Sequence, residues 1–118
     1  MSEDKGLGSP AELFAALDHL AQTIDLRAGG DPGESYTAEL LAKGSGKCAK
    51  KFGEEAVELV LALASESEEA VASEAGDVLY HLFVALRARG VSLVEVGAAL
   101  AARQAMSGLQ EKASRREN

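Results

Sequence analysis

The sequence is poor in aromatic residues, cysteine and histidine, and each shortage excludes something. Tryptophan is absent and aromatic residues make up only 4% of the 118 positions. The apolar content is therefore mainly alanine, leucine and valine, which favours closely packed helices over a β-sandwich. One cysteine, Cys48, excludes an internal disulfide and a multi-cysteine zinc site, and two histidines argue against a histidine-built metal centre.

Basic residues are also scarce. The chain has 12 Lys and Arg and 19 Asp and Glu, which gives a net charge of −7. This balance repels the phosphate backbone of nucleic acids, so no nucleic-acid partner is expected. The first residues lack the pattern of a signal peptide, and no apolar run approaches the roughly 18 residues of a membrane span. We therefore expect a cytoplasmic protein with no membrane partner.

Helical periodicity runs through most of the chain, and no strand pattern competes with it. We expect a flexible N terminus over 1–8, one domain over 9–111 and a frayed C-terminal tail over 112–118. The fold class that follows is all-α, an antiparallel helical bundle with short connections.

Cap residues locate the individual helices within that domain. Ser9, Pro10 and Glu12 form a capping-box pattern that opens the first helix. Ser92 and Glu95 form another, which opens the last helix. The helices are expected over roughly 10–27, 36–42, 45–65, 68–89 and 92–109.

Five acidic residues on the third and fourth of these helices are the most informative feature. Glu55 and Glu58 are three residues apart, as are Glu74 and Asp77, so each pair leaves one face of its helix, and Glu54 flanks the first pair. An antiparallel hairpin would bring both pairs together. Glu58 and Asp77 stand in apolar stretches and are expected to be buried, where ionised carboxylates need a cation or donors. A solvated acidic face remains the alternative.

Oxygen ligands of this kind select hard cations. Mg²⁺ is the natural choice, because it keeps several waters and accepts substrate phosphates in its remaining positions. Lys43, Lys47, Lys50 and Lys51 precede the acids and suit a polyanionic substrate. The alternative is a solvated basic face, in which Lys51 and Glu55 form an ordinary pair one turn apart.

Several segments together resemble the phosphoribosyl-ATP pyrophosphatases of histidine biosynthesis, from about Leu17 to Arg103. These segments are 35–41, 53–58 and 74–81, with Gly44, Lys47 and Lys51 between them. The acidic pattern E-E-x-x-E followed by E-x-x-D is shared with the wider MazG-like all-α nucleotide pyrophosphohydrolases, so it indicates only the superfamily. The S-Y-T segment at Ser35 and the Y-H pair at Tyr80 point to the phosphoribosyl-ATP branch.

The resemblance implies a MazG-like bundle of about four to five helices, intertwined in a homodimer or a pair of such dimers. The apolar character of the third and fourth helices over more than half their circumference also favours a dimer. The implied reaction is Mg²⁺-dependent hydrolysis of phosphoribosyl-ATP to phosphoribosyl-AMP and pyrophosphate, the second step of histidine biosynthesis.

The resemblance also implies residue roles. Mg²⁺ would be held by Glu55, Glu58, Glu74 and Asp77. The catalytic residues would be Glu54, Glu55 and Glu58, with Glu54 a candidate to bind metal or accept a proton from water. Lys47 and Lys51 are candidate phosphate contacts. Candidate substrate contacts, for which packing is the alternative role, are Tyr36, Tyr80 and His81.

Two other functions stay open at this point. One is a house-cleaning pyrophosphatase that acts on a canonical or damaged nucleoside triphosphate through the same acids. The other is a non-catalytic helical dimer whose acids lie on its surface. The S-Y-T and Y-H segments argue against the first, and affinity for Mg²⁺ would argue against the second.

Overall fold

The computed structural model describes residues 4–106 and 108–117. Six helices and no strand occur within these residues, which confirms the all-α prediction. Residues 1–3 of the expected flexible N terminus and residue 118 of the expected tail lie outside the described ranges. The helices are α1 (Ala11–Arg27), α2 (Tyr36–Ala42), α3 (Ser45–Ser65), α4 (Glu68–Arg89), α5 (Leu93–Gln104) and α6 (Gly108–Glu117).

Serine side chains cap three of these helices. Ser35 and Ser67 each accept a hydrogen bond from a backbone N–H in the first turn of α2 and α4. Ser92 and Glu95 form both bonds of the predicted capping box at α5. Gly90 ends α4 with φ +82°, a left-handed conformation that favours glycine. The predicted bounds of α2, α3 and α4 are confirmed.

The two ends of the helical region differ from the prediction. Pro10, and not Ser9, is the N-cap of α1, because the Pro10 carbonyl accepts the N–H of Phe14. Ser9 lies one residue too early and accepts from Ala11 N–H, so the predicted capping box with Glu12 is wrong. The fifth helix ends at Gln104 and not near 109. A sixth helix occupies 108–117, where a frayed tail was expected from 112, since its Gln, Glu, Lys, Ala and Arg residues favour helix.

An antiparallel hairpin of α3 and α4 forms the centre of the fold, because only Glu66 and Ser67 separate the two helices. The short α2 packs against both, and α1 packs against α4 and α2. The buried core where they meet consists of Ile24, Leu40, Cys48 and Val84. The Cys48 thiol donates to the Leu40 carbonyl at 3.1 Å, and burial raises the pKa of this thiol.

Two apolar helix faces stay uncovered in the single chain. The outer face of α3 exposes Val57, Val60 and Leu61, and no residue of α5 is buried. The accessible surface is 8799 Å², against roughly 6,100 Å² expected for a compact monomer of 12.2 kDa. Within the described residues, no helix has both the length and the apolar content to cross a bilayer.

Candidate metal centre

Three carboxylates converge between the two helices of the central hairpin. Glu55 and Glu58 on α3 and Glu74 on α4 each offer an oxygen, and these oxygens lie within 4.8 Å of one another. The hairpin explains this convergence, because Glu58 and Glu74 stand almost equally far from the two-residue connection. An antiparallel pairing therefore places them side by side.

Burial is distributed differently from the prediction. Glu58 and Asp77 are both exposed in the single chain, so the expectation that they are buried is wrong. The reason is that the apolar residues around Glu58 belong largely to the uncovered face of α3. The partly buried acids are Glu55 and Glu74. The Oε2 atom of Glu74 is buried and has no hydrogen-bond partner within the described part of the chain.

Electrostatic repulsion concentrates on the same residue. Partial burial, and then repulsion from neighbouring carboxylates, raise the pKa of Glu74 above its ordinary value. The acids that act on it are, in order of effect, Glu58, Asp77, Glu55 and Glu66. A partly buried carboxylate with an unpartnered oxygen and four acidic neighbours is a site that a cation would stabilise. The donor set therefore fits a hard divalent ion.

The remaining two acids of the predicted site stand apart from this group. Asp77 is not among the three convergent carboxylates, although it acts electrostatically on both Glu74 and His81. Glu54 is exposed and also lies outside the group of three. The structure therefore brings together Glu55, Glu58 and Glu74 and leaves Asp77 and Glu54 at the margin.

Glu55 contacts two nitrogen-bearing side chains. The Nζ of Lys51 lies 3.9 Å from its Oε2, and the Nε2 of buried His81 lies 4.0 Å from its Oε1. Burial lowers the pKa of His81, while the nearby Glu55 carboxylate opposes that shift. The lowered pKa of His81 favours the neutral imidazole over the imidazolium at this carboxylate.

The His81 ring beside this carboxylate belongs to a group of three aromatic rings. The rings of Tyr36 and Tyr80 are nearly parallel, at 16°, with centroids 6.4 Å apart. The His81 ring meets both of them edge to face, at 5.0 Å from Tyr80 and 6.2 Å from Tyr36. Tyr36 is exposed, so its ring is open to a ligand, whereas His81 is buried against Glu55.

Two of the four lysines that precede the acids form ion pairs within the described residues. Lys43 pairs with Glu39 at 3.4 Å and Lys51 with Glu55. Lys47 is exposed on the first turns of α3, one turn before Lys51. Both predicted phosphate contacts thus lie on the same helix as Glu55 and Glu58.

Sequence reasoning overlooked two residues. Thr37 is buried, and its hydroxyl lies 2.6 Å from the hydroxyl of Tyr80. Glu66 in the hairpin connection is close enough to raise the pKa of Glu74. The position of Glu66 beside the hairpin turn was a usable signal for its proximity to the acids, whereas nothing in the sequence pairs Thr37 with Tyr80.

Comparison with known proteins shows close similarity over most of the chain. A family model described as phosphoribosyl-ATP pyrophosphohydrolase matches residues 17–104. A phosphoribosyl-ATP pyrophosphatase of Cereibacter sphaeroides is 56% identical over 102 residues, which are 86% of this chain and 99% of the relative. Phosphoribosyl-ATP pyrophosphatase 1 of Rhodopseudomonas palustris is 54% identical over 102 residues, 86% of this chain and 95% of the relative.

Proposed function

The chain belongs to the phosphoribosyl-ATP pyrophosphohydrolase family, and from this premise we propose that it hydrolyses phosphoribosyl-ATP to phosphoribosyl-AMP and pyrophosphate. This is the second step of histidine biosynthesis, and an ATP derivative as substrate implies a cytoplasmic enzyme. The observation that carries the proposal is the convergence of Glu55, Glu58 and Glu74 inside the matched region. Such a group of acids serves a reaction on a metal-bound triphosphate.

The proposed cofactor is Mg²⁺, held by Glu55, Glu58, Glu74 and Asp77. The unpartnered Oε2 of Glu74 and the repulsion around it support this assignment, because an ion there would relieve both. Asp77 lies at the margin of the convergent group and would complete the ligand set. When bound, Mg²⁺ supplies charge neutralisation on the phosphates and lowers the pKa of bound water.

The residues around the convergent acids are proposed to accept the proton of water and to contact the substrate. Glu54 is exposed and free of the convergent group, so its carboxylate is available to accept the proton of the attacking water. Lys47 and Lys51 are proposed to contact phosphate oxygens as point charges. Tyr36, with Tyr80 and His81 behind it, is proposed to contact the base or a ribose of the substrate.

The proposed assembly is a homodimer, in which a second copy covers the outer face of α3 and the α5 helix. The excess of accessible surface over a compact monomer and the exposed Val57, Val60 and Leu61 support this proposal. We extend the proposal to a pair of such dimers. Covering the outer face of α3 would also bury the surroundings of Glu58.

A panel of substrates tests the proposed reaction. The purified protein with Mg²⁺ is expected to release pyrophosphate from phosphoribosyl-ATP far faster than from dCTP, dUTP or ATP. Chelation of the metal should abolish release. Faster turnover of dCTP or dUTP would instead assign a house-cleaning activity. Absence of both turnover and calorimetric Mg²⁺ binding would assign a non-catalytic helical module. Complementation tests the same assignment in cells: a histidine auxotroph that lacks this step should grow without histidine when it expresses this protein.

A further inference from the structure

Thr37 and Tyr80 form the one hydroxyl–hydroxyl hydrogen bond among the side-chain bonds of the described residues. Their oxygen atoms are 2.6 Å apart, and the bond joins α2 to α4 across 43 residues of sequence. We propose that Thr37 is a positioning residue for the substrate site, because it fixes the Tyr80 ring and through it Tyr36 and His81. The inference rests on the proposed function and adds to it a residue that does not itself touch substrate.

Packing alone does not require a hydroxyl at this position. Ala38 and Leu40 already anchor α2 in the core, with 3% and 5% of their surface exposed. Thr37 is itself 8% exposed, so its hydroxyl would cost free energy without a partner. A valine would fill the same volume without that risk. The role of the bond to Tyr80 is therefore orientation, because it fixes the position of the Tyr80 ring relative to α2.

A continuous series of ring contacts leads from this bond to the acids. Tyr80 lies nearly parallel to Tyr36 and edge to face with His81, and the His81 ring also meets Tyr36 edge to face. His81 in turn lies against Glu55. A Tyr80 ring released from Thr37 can change its tilt, and both neighbouring rings must then adjust.

The open member of this ring group is Tyr36, which is 51% exposed. A flat, half-exposed ring backed by a second ring is suited to stack against a purine base. The acids and lysines would at the same time hold the phosphates. A ring that orients the base contributes to substrate binding more than to the bond-breaking step. Loss of its support should therefore raise KM more than it lowers kcat.

Steady-state kinetics with phosphoribosyl-ATP tests the role. Thr37→Val keeps the side-chain shape and removes the hydroxyl, and it should raise KM by about fivefold to tenfold while kcat changes less than about twofold. Thr37→Ser retains the hydroxyl and should restore KM. The matched control is Thr23→Val on α1, which alters the only other threonine and should leave both constants unchanged.

Tyrosine spectroscopy gives a readout that needs no substrate. Tyr36 and Tyr80 are the only tyrosines and tryptophan is absent, so the near-ultraviolet circular dichroism in the tyrosine band reports on this ring pair. Thr37→Val should weaken that band, whereas Thr37→Ser and Thr23→Val should preserve it. Calorimetric Mg²⁺ affinity should stay as in the unmodified protein in all three variants, because none removes an acid.

Tyr80→Phe removes the same bond from its other end and serves if Thr37→Val does not fold. The double variant Thr37→Val with Tyr80→Phe should raise KM no further than either single change, since both remove one interaction. An unchanged KM and tyrosine band in Thr37→Val would overturn the inference, as would a loss of stability without any change in KM. Failure of the unmodified protein to hydrolyse phosphoribosyl-ATP would instead refute the proposed function.

Discussion

Glu58 and Glu74 face each other across the α3–α4 hairpin, each with a carboxylate oxygen within 4.8 Å of the other. Glu58→Gln keeps the shape of the side chain and removes one charge from this contact. Without metal, the variant should melt no lower than the unmodified protein, because repulsion with Glu74 is relieved. With Mg²⁺, it should lose the metal-induced rise in Tm and release pyrophosphate about a hundredfold more slowly.

The choice of control for this experiment follows from the structure. Glu66 is unsuitable although it lies in a connection, because it acts on Glu74. Glu69→Gln is suitable, since Glu69 is exposed in the first turn of α4 and is not among the acids that raise the pKa of Glu74. Normal turnover in both Glu58→Gln and Asp77→Asn would remove these residues from the metal site.

Glu74 predicts a pH dependence of the metal-free protein. Its pKa is raised in the folded state, so the folded protein takes up this proton at a higher pH than the unfolded chain. The charged form therefore destabilises the fold at neutral pH, and the penalty is relieved as the pH falls through the raised value. Glu74→Gln should melt higher than the unmodified protein at neutral pH. The difference should shrink on acidification and vanish below the ordinary value of 4.5.

Melting curves at several pH values, recorded with a chelator present, measure this difference. Glu69→Gln again provides the comparison, and its difference in Tm from the unmodified protein should not shrink as the pH falls. A Glu74→Gln variant that melts lower than the unmodified protein at neutral pH would mean that the carboxylate is satisfied by donors instead of repelled.

The uncovered face of α3 predicts the oligomeric state. Light scattering at micromolar concentration should give the mass of a dimer or of two dimers. Val60 is 62% exposed on that face, and Val60→Asp should shift the mass toward the monomer and lower Tm, because a charge would be buried in the interface. Ala15→Asp adds the same charge to an exposed position of α1 and should leave the mass unchanged. A monomeric unmodified protein would refute the dimer.

Gly76 predicts a gain in stability. It lies inside α4 between Glu74 and Asp77. Beyond its own turn of helix, a Cβ added there would meet no atom of the described residues within 4 Å. Gly76→Ala should therefore raise the stability by about 1 kcal/mol through helix propensity and a less flexible unfolded state. Gly90→Ala should have the opposite effect, since Gly90 adopts φ +82°. A lower Tm for Gly76→Ala would show that a second copy packs closely at that position.

Cap residues made most of the fold predictable. Ser67, Gly90 and the Ser92–Glu95 box act locally, so the sequence alone indicates where α4 and α5 begin and α4 ends. The convergence of Glu58 with Glu74 was also predictable, because a short connection leaves the hairpin little choice of register. The helix ends and the convergence of the acids can be predicted from helical spacing and from the length of the α3–α4 connection alone.

Burial and long-range pairing were not predictable in the same way. An apolar neighbourhood suggests burial of Glu58 only if the chain itself covers that face, and α3 leaves it open. The Thr37–Tyr80 bond depends on how α2 crosses α4, which no local pattern encodes. The Ser9 prediction failed by one residue because Pro10 itself accepts the first helical hydrogen bond.

The two-residue connection between α3 and α4 also has a consequence for how the chain reaches its fold. Closing so short a loop costs little entropy, so we expect this hairpin to form before α1 and α2 pack on it. On that expectation the acids meet early, and their repulsion opposes formation of the hairpin. A divalent ion that binds them at this stage should accelerate folding as well as stabilise the folded protein.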